Sequence, residues 1–316
     1  MLAQAFALSA AGRGGEAVAL IAELAAQRHP EALFLLGDLH WRGGAVPKDM
    51  ARGREYFRQA SDAGHPVALR AYTNLLGSGV AGPRDWPACI RRLREEARFD
   101  TRRAQMLALI DRMDLDAEGD PKAPFAGRKI SDSPEVALFP GLFSRAECEF
   151  LILVAEPTYL PSLVIAGDGS QQRQQIRTSD GAPMHFLIED PVIHALNRRL
   201  AAVSGTNYDQ GEPLLILRYR PGQQYRKHYD ALPGATNQRF LTALAYLNTG
   251  YGGGETEFTR TGLKVRGKQG DVIVFRNSGA GGRYDPMAEH AGLPVTSGVK
   301  YLASRWIRQA RHEPEE

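Results

Sequence analysis

Cysteine is scarce in this chain. Its 316 residues include two, Cys89 and Cys148, which lie far apart in the sequence. Nothing around them suggests a disulfide, so the sequence predicts a reduced, cytoplasmic protein. Cys148 falls on the apolar face of a predicted helix, where we interpret it as a packing residue rather than a reactive thiol.

Long apolar runs are also missing. No stretch approaches the roughly 18 apolar residues that a membrane span requires. The apolar residues 1–11 lack a basic leading region, so we interpret them as a first helix and not as a signal peptide. The sequence therefore predicts no membrane partner.

A large excess of charge of one sign is absent. Lys and Arg number 39 and Asp and Glu 36, so the formal net charge is +3. Nucleic-acid binding requires Lys and Arg clustered on one face, whereas the basic run at residues 91–94 is followed by Glu95 and Glu96. We interpret that run as a solvated helix face and predict no nucleic-acid partner. The hydrophobic content of 43% and the length indicate a soluble chain of two domains.

Residues 1–115 are rich in Ala, Leu and Arg and show the spacing of amphipathic helices. A unit of helix, glycine-rich turn and second helix occurs twice, with Ala32 matched by Ala68 and Asp49 by Asp85, both 36 residues apart. The layout resembles the Sel-one-like repeats, relatives of the tetratricopeptide repeat. The resemblance implies an α-solenoid that binds proteins or peptides. A helical prop that only stabilises its neighbour fits the same sequence.

Residues 116–134 interrupt the helical pattern with glycine and proline. This composition predicts a linker or an extended strand that leads into the next domain. A helix follows, for which Ser144 is the expected N-cap and Glu147 its capping-box partner. Farther on, the polar, glycine-containing residues 167–177 predict either a mobile lid or a plain loop.

From residue 214 onward the pattern changes to short strands separated by Gly, Pro and Asn turns. Strands are predicted at residues 214–219, 240–248, 263–265, 271–275 and 301–306. Such spacing favours an antiparallel sandwich or barrel, and a double-sheet jelly roll fits it. The predicted fold class is a multidomain α+β protein, in which a helical-repeat α-solenoid precedes a jelly roll, or double-stranded β-helix, over residues 135–310.

Two histidines and an aspartate in this region have the spacing of a metal site. Positions i and i+2 of a strand point to the same face, so His228 and Asp230 can hold one ion. His290, far downstream, supplies a third ligand. Two His and one carboxylate leave positions open on an octahedral ion, a pattern that suits non-haem Fe(II) oxygenases. Either histidine alone would be an ordinary residue, whereas the joint pattern favours a metal centre.

The order of motifs around these residues resembles a known family. The motifs are Arg177-Thr178-Ser179, Arg218-Tyr219-x-Pro221-Gly222-Gln223-x-Tyr225-x-x-His228-x-Asp230, Thr242-x-Leu244-x-Tyr246-Leu247-Asn248, Gly253-Gly254-Glu255-Thr256-x-Phe258, Phe275-x-Asn277 and His290-x-Gly292-x-Pro294-Val295-x-x-Gly298-x-Lys300. Over residues 135–310 this set is similar to the prolyl 4-hydroxylase branch of the Fe(II)/2-oxoglutarate dioxygenases.

The resemblance implies a cofactor site. It makes His228, Asp230 and His290 the catalytic Fe(II) ligands, and it pairs Lys300 with the distal carboxylate of 2-oxoglutarate. Tyr219 is the implied hydroxyl partner of that cosubstrate. O2 is the second cosubstrate, and the family implies that ascorbate supports turnover.

Three more residues have implied roles at the same site. Thr242 is a weaker candidate for cosubstrate binding, and Arg239 and Trp306 are implied substrate contacts. Related halogenases lack the carboxylate ligand, so the presence of Asp230 favours hydroxylation.

The implied activity is hydroxylation of a C–H bond, most of all in a prolyl residue of a peptide or protein recruited in part by the repeats, with release of succinate and CO2. Two alternatives remain open. The substrate could be a small molecule, such as a free amino acid or a natural-product intermediate, with the repeats as a prop. The protein could instead be a non-catalytic adaptor that binds other proteins through its repeats.

Overall fold

A computed structural model describes residues 1–162, 164–165, 171–172, 176–279 and 281–312. Its first third is helical: α1 (Leu2–Ala10), α2 (Gly14–Ala26), α3 (Pro30–Arg42), α4 (Met50–Asp62), α5 (Pro66–Ser78), α6 (Trp86–Glu96) and α7 (Thr101–Ile110). Each helix packs on the next one along the chain. The predicted array of helical repeats is confirmed.

The 36-residue period has a local physical cause. Asp49 and Asp85 are the N-caps of α4 and α6, and their side chains accept hydrogen bonds from the backbone N–H groups of Arg52 and Ala88. An acceptor at this position satisfies one of the unpaired amides at the start of a helix. The repeated aspartates therefore begin the second helix of each unit.

Glycine permits the close crossing of α3 and α4. A Cβ atom on Gly53 would lie 2.9 Å from the carbonyl oxygen of Gly37, and one on Gly37 would lie 2.7 Å from the ring of Phe57. Real Cβ atoms essentially never lie this close to another heavy atom, so a side chain at either position would force a neighbour to shift. Small residues at this crossing are therefore a packing requirement.

The segment after α7 leads into the sheets. Strand β1 (Arg128–Asp132) forms an antiparallel pair with β2 (Glu135–Phe139). The predicted linker at residues 116–134 thus contains an extended strand. Helix α8 (Arg145–Ala155) follows, and the capping box between Ser144 and Glu147 is present in both directions, as predicted.

The remaining elements are mostly strands. They are β3 (Leu160–Pro161), β4 (Val164–Ile165), β5 (Gln171–Gln172), β6 (Asp180–Met184), β7 (Leu214–Tyr219), β8 (Tyr225–His228), β9 (Arg239–Tyr246), β10 (Gly252–Gly253), β11 (Thr256–Phe258), β12 (Leu263–Val265), β13 (Val272–Arg276), β14 (His290–Gly292), β15 (Val295–Ser297) and β16 (Lys300–Arg308), with helix α9 (Pro191–Ser204) between β6 and β7. Most of the predicted lid or loop at residues 167–177 lies outside the described residues.

Most of the described strands form two facing sheets, and β10 with β15 and β4 with β5 form two separate pairs. The large sheet has the order β1-β2-β13-β9-β16-β7-β6-β3, and a small sheet has the order β12-β11-β14-β8. Antiparallel pairing links each neighbouring pair. The predicted jelly roll is confirmed.

Strand β9 is buried on both faces, so polar and apolar residues do not alternate in its sequence. Leu244 and Tyr246 belong to the core between the two sheets, whereas Ala243 and Ala245 belong to the core beneath the helices. A strand buried on both faces reads as a continuous apolar run. The polar side chain of Thr242 is fully buried on the face shared with Leu244 and Tyr246, and such an exception inside a core needs a hydrogen-bonding partner.

One apolar core joins the repeats to the sheets. It includes Trp86 and Leu93 of α6 together with Ile193 and Leu196 of α9. The ring of Trp86 lies 6.0 Å from that of His194 on α9. The last repeat is therefore part of the support of the large sheet.

Both cysteines are unpaired and buried, so no disulfide links them. Burial raises the pKa of each thiol to about 12, which keeps it protonated and unreactive. Among the described helices, none has the length and apolar character needed to cross a membrane.

Candidate active site

Strand pairing brings the predicted metal ligands together. His228 ends β8, Asp230 follows two residues later, and His290 begins β14. Antiparallel pairing of these strands places His290 directly opposite His228. Residues far apart in the sequence thus meet at one end of the small sheet, facing the large one.

The three side chains have the spacing of a metal site. One ligand atom of each lies within 4.8 Å of the others. The Nε2 atoms of His228 and His290 are each 3.6 Å from an oxygen of Asp230. Within the described residues, this is the one group of three or more His, Cys, Asp or Glu side chains with such a separation.

Both histidines are oriented through their other ring nitrogen. Nδ1 of His228 lies 2.8 Å from the carbonyl oxygen of Arg226, and Nδ1 of His290 lies 2.9 Å from that of Ala288. A carbonyl can only accept a hydrogen bond, so Nδ1 carries the proton and Nε2 keeps a lone pair. Metal-binding histidines are held in this way.

The charges also fit a cation. Burial and the neighbouring His228 lower the pKa of His290 to about 4, so its imidazole is neutral near pH 7. Burial opposes ionisation of Asp230, but the two histidines and the Thr242 hydroxyl outweigh it and lower the pKa of the carboxyl. Two imidazoles and one carboxylate are a donor set that suits Fe(II).

Thr242 lies on the metal side of the site. The sequence predicts a cosubstrate contact for it, whereas its hydroxyl donates a 2.6 Å hydrogen bond to Oδ2 of Asp230. Asn277 in turn donates to the Thr242 oxygen at 2.7 Å. The sequence analysis assigned no role to Asn277, although the residue belongs to the motif Phe275-x-Asn277. The pairing of β13 with β9 brings it next to Thr242.

Lys300 lies at the other end of the site. It begins β16 directly opposite Tyr219 on β7. Its Nζ donates to the carbonyl oxygen of Gly254 at 2.8 Å and lies 5.4 and 5.8 Å from the ring centroids of Tyr219 and Tyr246. Burial lowers the pKa of Lys300 to about 8. Because its hydrogen-bond partner is a neutral carbonyl, its charge remains available to an anionic ligand.

Thr256 is a hydroxyl near Lys300 that sequence reasoning did not single out. It is buried, and the hydroxyl of Tyr246 donates to its oxygen at 3.0 Å. It lies two residues after Gly254, whose carbonyl holds Lys300. Thr256 belongs to the motif from Gly253 to Phe258, so the sequence contained a signal for it. Only the structure shows that its hydroxyl lies beside that of Tyr246.

Arg239 and Trp306 lie side by side. The Arg239 guanidinium is 4.0 Å from the Trp306 ring centroid and forms two hydrogen bonds to Glu212, at 2.6 and 2.7 Å. Trp306 is directly opposite Thr242 in the register of β16 and β9. Both residues are therefore close to the metal side, and their contact with substrate stays a prediction.

The upstream motif also reaches the site. The Arg177 guanidinium lies 4.9 Å from the ring centroid of Tyr225, and that ring stacks on His228 with 3.4 Å between centroids. Burial raises the pKa of Tyr225 to about 12, so it is protonated near pH 7. Arg177 thus contacts the residue that covers one metal ligand.

Comparison with known proteins agrees with this geometry. Residues 214–308 match the family model of the 2OG-Fe(II) oxygenase superfamily, and residues 30–65 match that of the Sel1 repeat. The first match includes His228, Asp230, His290 and Lys300. The second covers the first of the two units predicted from the 36-residue period.

Two curated relatives from Arabidopsis thaliana resemble this chain over most of its sheet region. Prolyl 4-hydroxylase 1 is 32% identical over 200 residues, which are 57% of this chain and 71% of the relative. Prolyl 4-hydroxylase 13 is 31% identical over 215 residues, which are 60% and 76% of the two chains. Among solved structures, the viral collagen prolyl hydroxylase of Paramecium Bursaria Chlorella virus-1 is 27% identical with a TM-score of 0.42, over 58% of this chain and 99% of that one. This chain therefore belongs to the prolyl 4-hydroxylase family of 2OG-Fe(II) oxygenases and is a 2-oxoglutarate-dependent dioxygenase.

Proposed function

We propose that this protein hydroxylates a prolyl residue in a peptide or protein and converts 2-oxoglutarate to succinate and CO2. The observation that carries the proposal is the joint presence of the His228, Asp230 and His290 cluster and a buried cationic Lys300 in one site. Its relatives are named prolyl 4-hydroxylases. Bound Fe(II) and 2-oxoglutarate would supply the chemistry with O2 as the oxidant, one oxygen atom going to the prolyl C–H bond and the other to succinate.

The residues of this chain bind and orient the reactants. His228, His290 and Asp230 would hold the ion through two Nε2 atoms and a carboxylate oxygen. Lys300 would pair with the distal carboxylate of 2-oxoglutarate, and the rings of Tyr219 and Tyr246 keep water from that pair. An ion pair shielded from water is stronger than one at the surface. Thr256 supplies a hydroxyl on the same side.

A peptide substrate fits the rim better than a free amino acid. Both donors on one edge of the Arg239 guanidinium are already paired with Glu212. Glu212 thus neutralises the guanidinium and occupies one of its two bidentate edges, which weakens its attraction for a free substrate carboxylate. We propose that the Trp306 ring, which has the Arg239 guanidinium over it, contacts an uncharged ring such as that of proline.

We also propose that the repeats recruit the protein that is hydroxylated. A cavity of about 360 Å³ lies between α2, α3 and α4, with apolar walls from Leu33, Leu36 and Tyr56 and charged ones from Arg52 and Glu55. Helices α4 and α5 pack between this cavity and α6, which shares a core with α9, so the stacked helices connect the cavity to the sheets. Replacement of Tyr56 by Ala should raise KM for a protein substrate and leave KM for a short prolyl peptide unchanged.

The decisive experiment follows succinate and the peptide together. Protein loaded with Fe(II) without air receives 2-oxoglutarate, air and a prolyl peptide. We expect succinate and one added oxygen per proline from the wild type, and neither product from His228→Ala. His185→Ala is the matched control, because His185 is an exposed histidine outside the cluster, and it should react like the wild type.

Other outcomes would favour the alternatives. Succinate with oxygen added only to a small molecule would support the small-molecule hydroxylase. Tight metal binding without succinate, even with cell lysate as a source of substrate, would support a non-catalytic adaptor. Support of turnover by ascorbate and a cytoplasmic location stay proposals, the first resting on the family and the second on the two buried thiols.

A further inference from the structure

We propose that Thr242 and Asn277 are positioning residues that select the Asp230 oxygen presented to the metal ion. The inference rests on the metal site of the proposed function. Neither residue belongs to the set of three ligands, and both are buried beside it. They form a relay of two hydrogen bonds that ends on the carboxylate.

The direction of the hydrogen bonds follows from the chemistry of the groups. A carboxylate that holds a cation is ionised, and so Asp230 can only accept. Thr242 has one hydroxyl proton, which it donates to Oδ2 at 2.6 Å. Its oxygen must then accept from Asn277, and the amide nitrogen Nδ2 lies 2.7 Å away. If the Asn277 amide were flipped, its oxygen would face the Thr242 oxygen. The single hydroxyl proton of Thr242 could then be donated to Asn277 or to Asp230, but not to both.

The backbone holds the relay in place. Thr242 lies within β9 directly opposite Phe275 of β13. The N–H of Asn277, just after β13, donates to the carbonyl oxygen of Phe240 at 2.8 Å, and the Asn277 carbonyl accepts from the N–H of Asp285 at 2.8 Å. Both side chains are thus anchored to the large sheet, whereas Asp230 follows a strand of the small sheet. The relay ties the carboxylate of one sheet to the framework of the other.

The consequence concerns the two oxygens of Asp230. Each oxygen lies 3.6 Å from Nε2 of one histidine, Oδ1 from His228 and Oδ2 from His290, so the hydrogen bond from Thr242 to Oδ2 is what distinguishes them and leaves Oδ1 as the oxygen presented to the ion. Free rotation of the carboxylate would let both oxygens compete for the ion. Partners of this kind orient ligands, and their loss typically lowers metal affinity about 10- to 100-fold.

The test uses Co(II), which binds such sites and does not oxidise in air. Its Kd and its visible absorption spectrum are measured with the full-length protein, without cosubstrate. We expect Thr242→Val, which keeps the side-chain shape and removes the hydroxyl, to raise the Kd about 10- to 100-fold and to change the spectrum. Thr242→Ser keeps the hydroxyl and should restore both to near wild-type values.

A double mutant shows whether Asn277 acts through Thr242. Asn277→Leu alone should raise the Kd less than Thr242→Val does, because the hydroxyl remains. In the Thr242→Val background, Asn277→Leu should raise the Kd no further, since the hydroxyl oxygen that accepts from Asn277 is absent. Full additivity of the two effects would mean that the residues act independently and would overturn the relay.

Two controls separate the relay from the metal site and from folding. Lys300→Ala should keep the wild-type Kd for Co(II), because Lys300 lies at the cosubstrate end. A wild type that binds no Co(II) would overturn the metal site and the relay together, whereas Thr242→Val with wild-type affinity and spectrum would overturn the relay alone. If thermal denaturation shows that Thr242→Val does not fold, the comparison of Asn277→Leu with wild type decides, and an unchanged Kd and spectrum would refute the relay.

Discussion

In the helical repeats of this protein the contacting residues are close in the sequence, whereas in the sheets they are far apart. In the repeats each helix packs on its neighbour in the chain. In the sheets His228 meets His290, and Thr242 meets Asn277. Yet the two regions share one apolar core through α6 and α9. Local order along the chain therefore does not make a region an independent unit.

Removal of residues 1–115 should have the largest effect. It strips Trp86, Leu93 and Met106 from the shared core and leaves the apolar face of α9 exposed to water. We expect an insoluble or unfolded sheet region, as judged by its near-ultraviolet circular dichroism. Removal of residues 1–28 is the matched control, since α1 and α2 belong to a separate core, and it should leave the sheets folded. A soluble, active protein after the longer deletion would make the repeats a separable module.

Trp86→Ala addresses the same core with one side chain. Trp86 is 4% exposed and packs on α9, and truncation of such a residue typically costs about 3–5 kcal/mol of the free energy of unfolding. We expect helices and sheets to melt in one earlier transition. Trp41→Ala is the control, because Trp41 is only half-buried in the first repeat and should cost less. Separate melting of helices and sheets would contradict a single cooperative unit.

Gly53→Ala tests local packing within the repeats. The new methyl group would meet the Gly37 carbonyl oxygen at 2.9 Å and the Trp41 backbone nitrogen at 3.0 Å. Overpacking of this kind typically costs about 1–3 kcal/mol, which chemical denaturation can measure. Gly15→Ala adds the same methyl group to α2 where nothing lies within 4 Å, so it should stabilise the helix by about 0.5–1 kcal/mol. Equal effects of the two changes would refute the crossing as the cause.

The smallest expected effect is confined to the sheets and depends on pH. The ordinary pKa of lysine is 10.5, and burial lowers that of Lys300 to about 8. Its charge is present below that pH and is lost above it, so KM for 2-oxoglutarate should rise as pH increases through about 8. Lys300→Arg keeps its charge across this range and should show a flat profile. A flat profile for the wild type would mean that the bound carboxylate is recognised by another group.

Much of the fold could be predicted because its signals are local. The aspartates that cap α4 and α6 recur with the repeat, and the Ser144 capping box lies within four residues. The apolar runs of β7, β9, β13 and β16 are also visible in the sequence. Strands β11 and β14 escaped prediction, because three residues carry too little pattern. The strand expected to carry both His228 and Asp230 is β8, which ends at His228.

The sequence by itself determined which chemistry this protein has: the identities of His228, Asp230, His290 and Lys300, in motifs of a known order. Only the tertiary structure decided how the hydroxyls are divided between the two ends of the site, with Thr242 on Asp230 and Thr256 near Lys300. It alone decided that the last repeat supports the large sheet. The reason is physical, since side-chain identity is local, whereas strand register and helix packing depend on partners far along the chain.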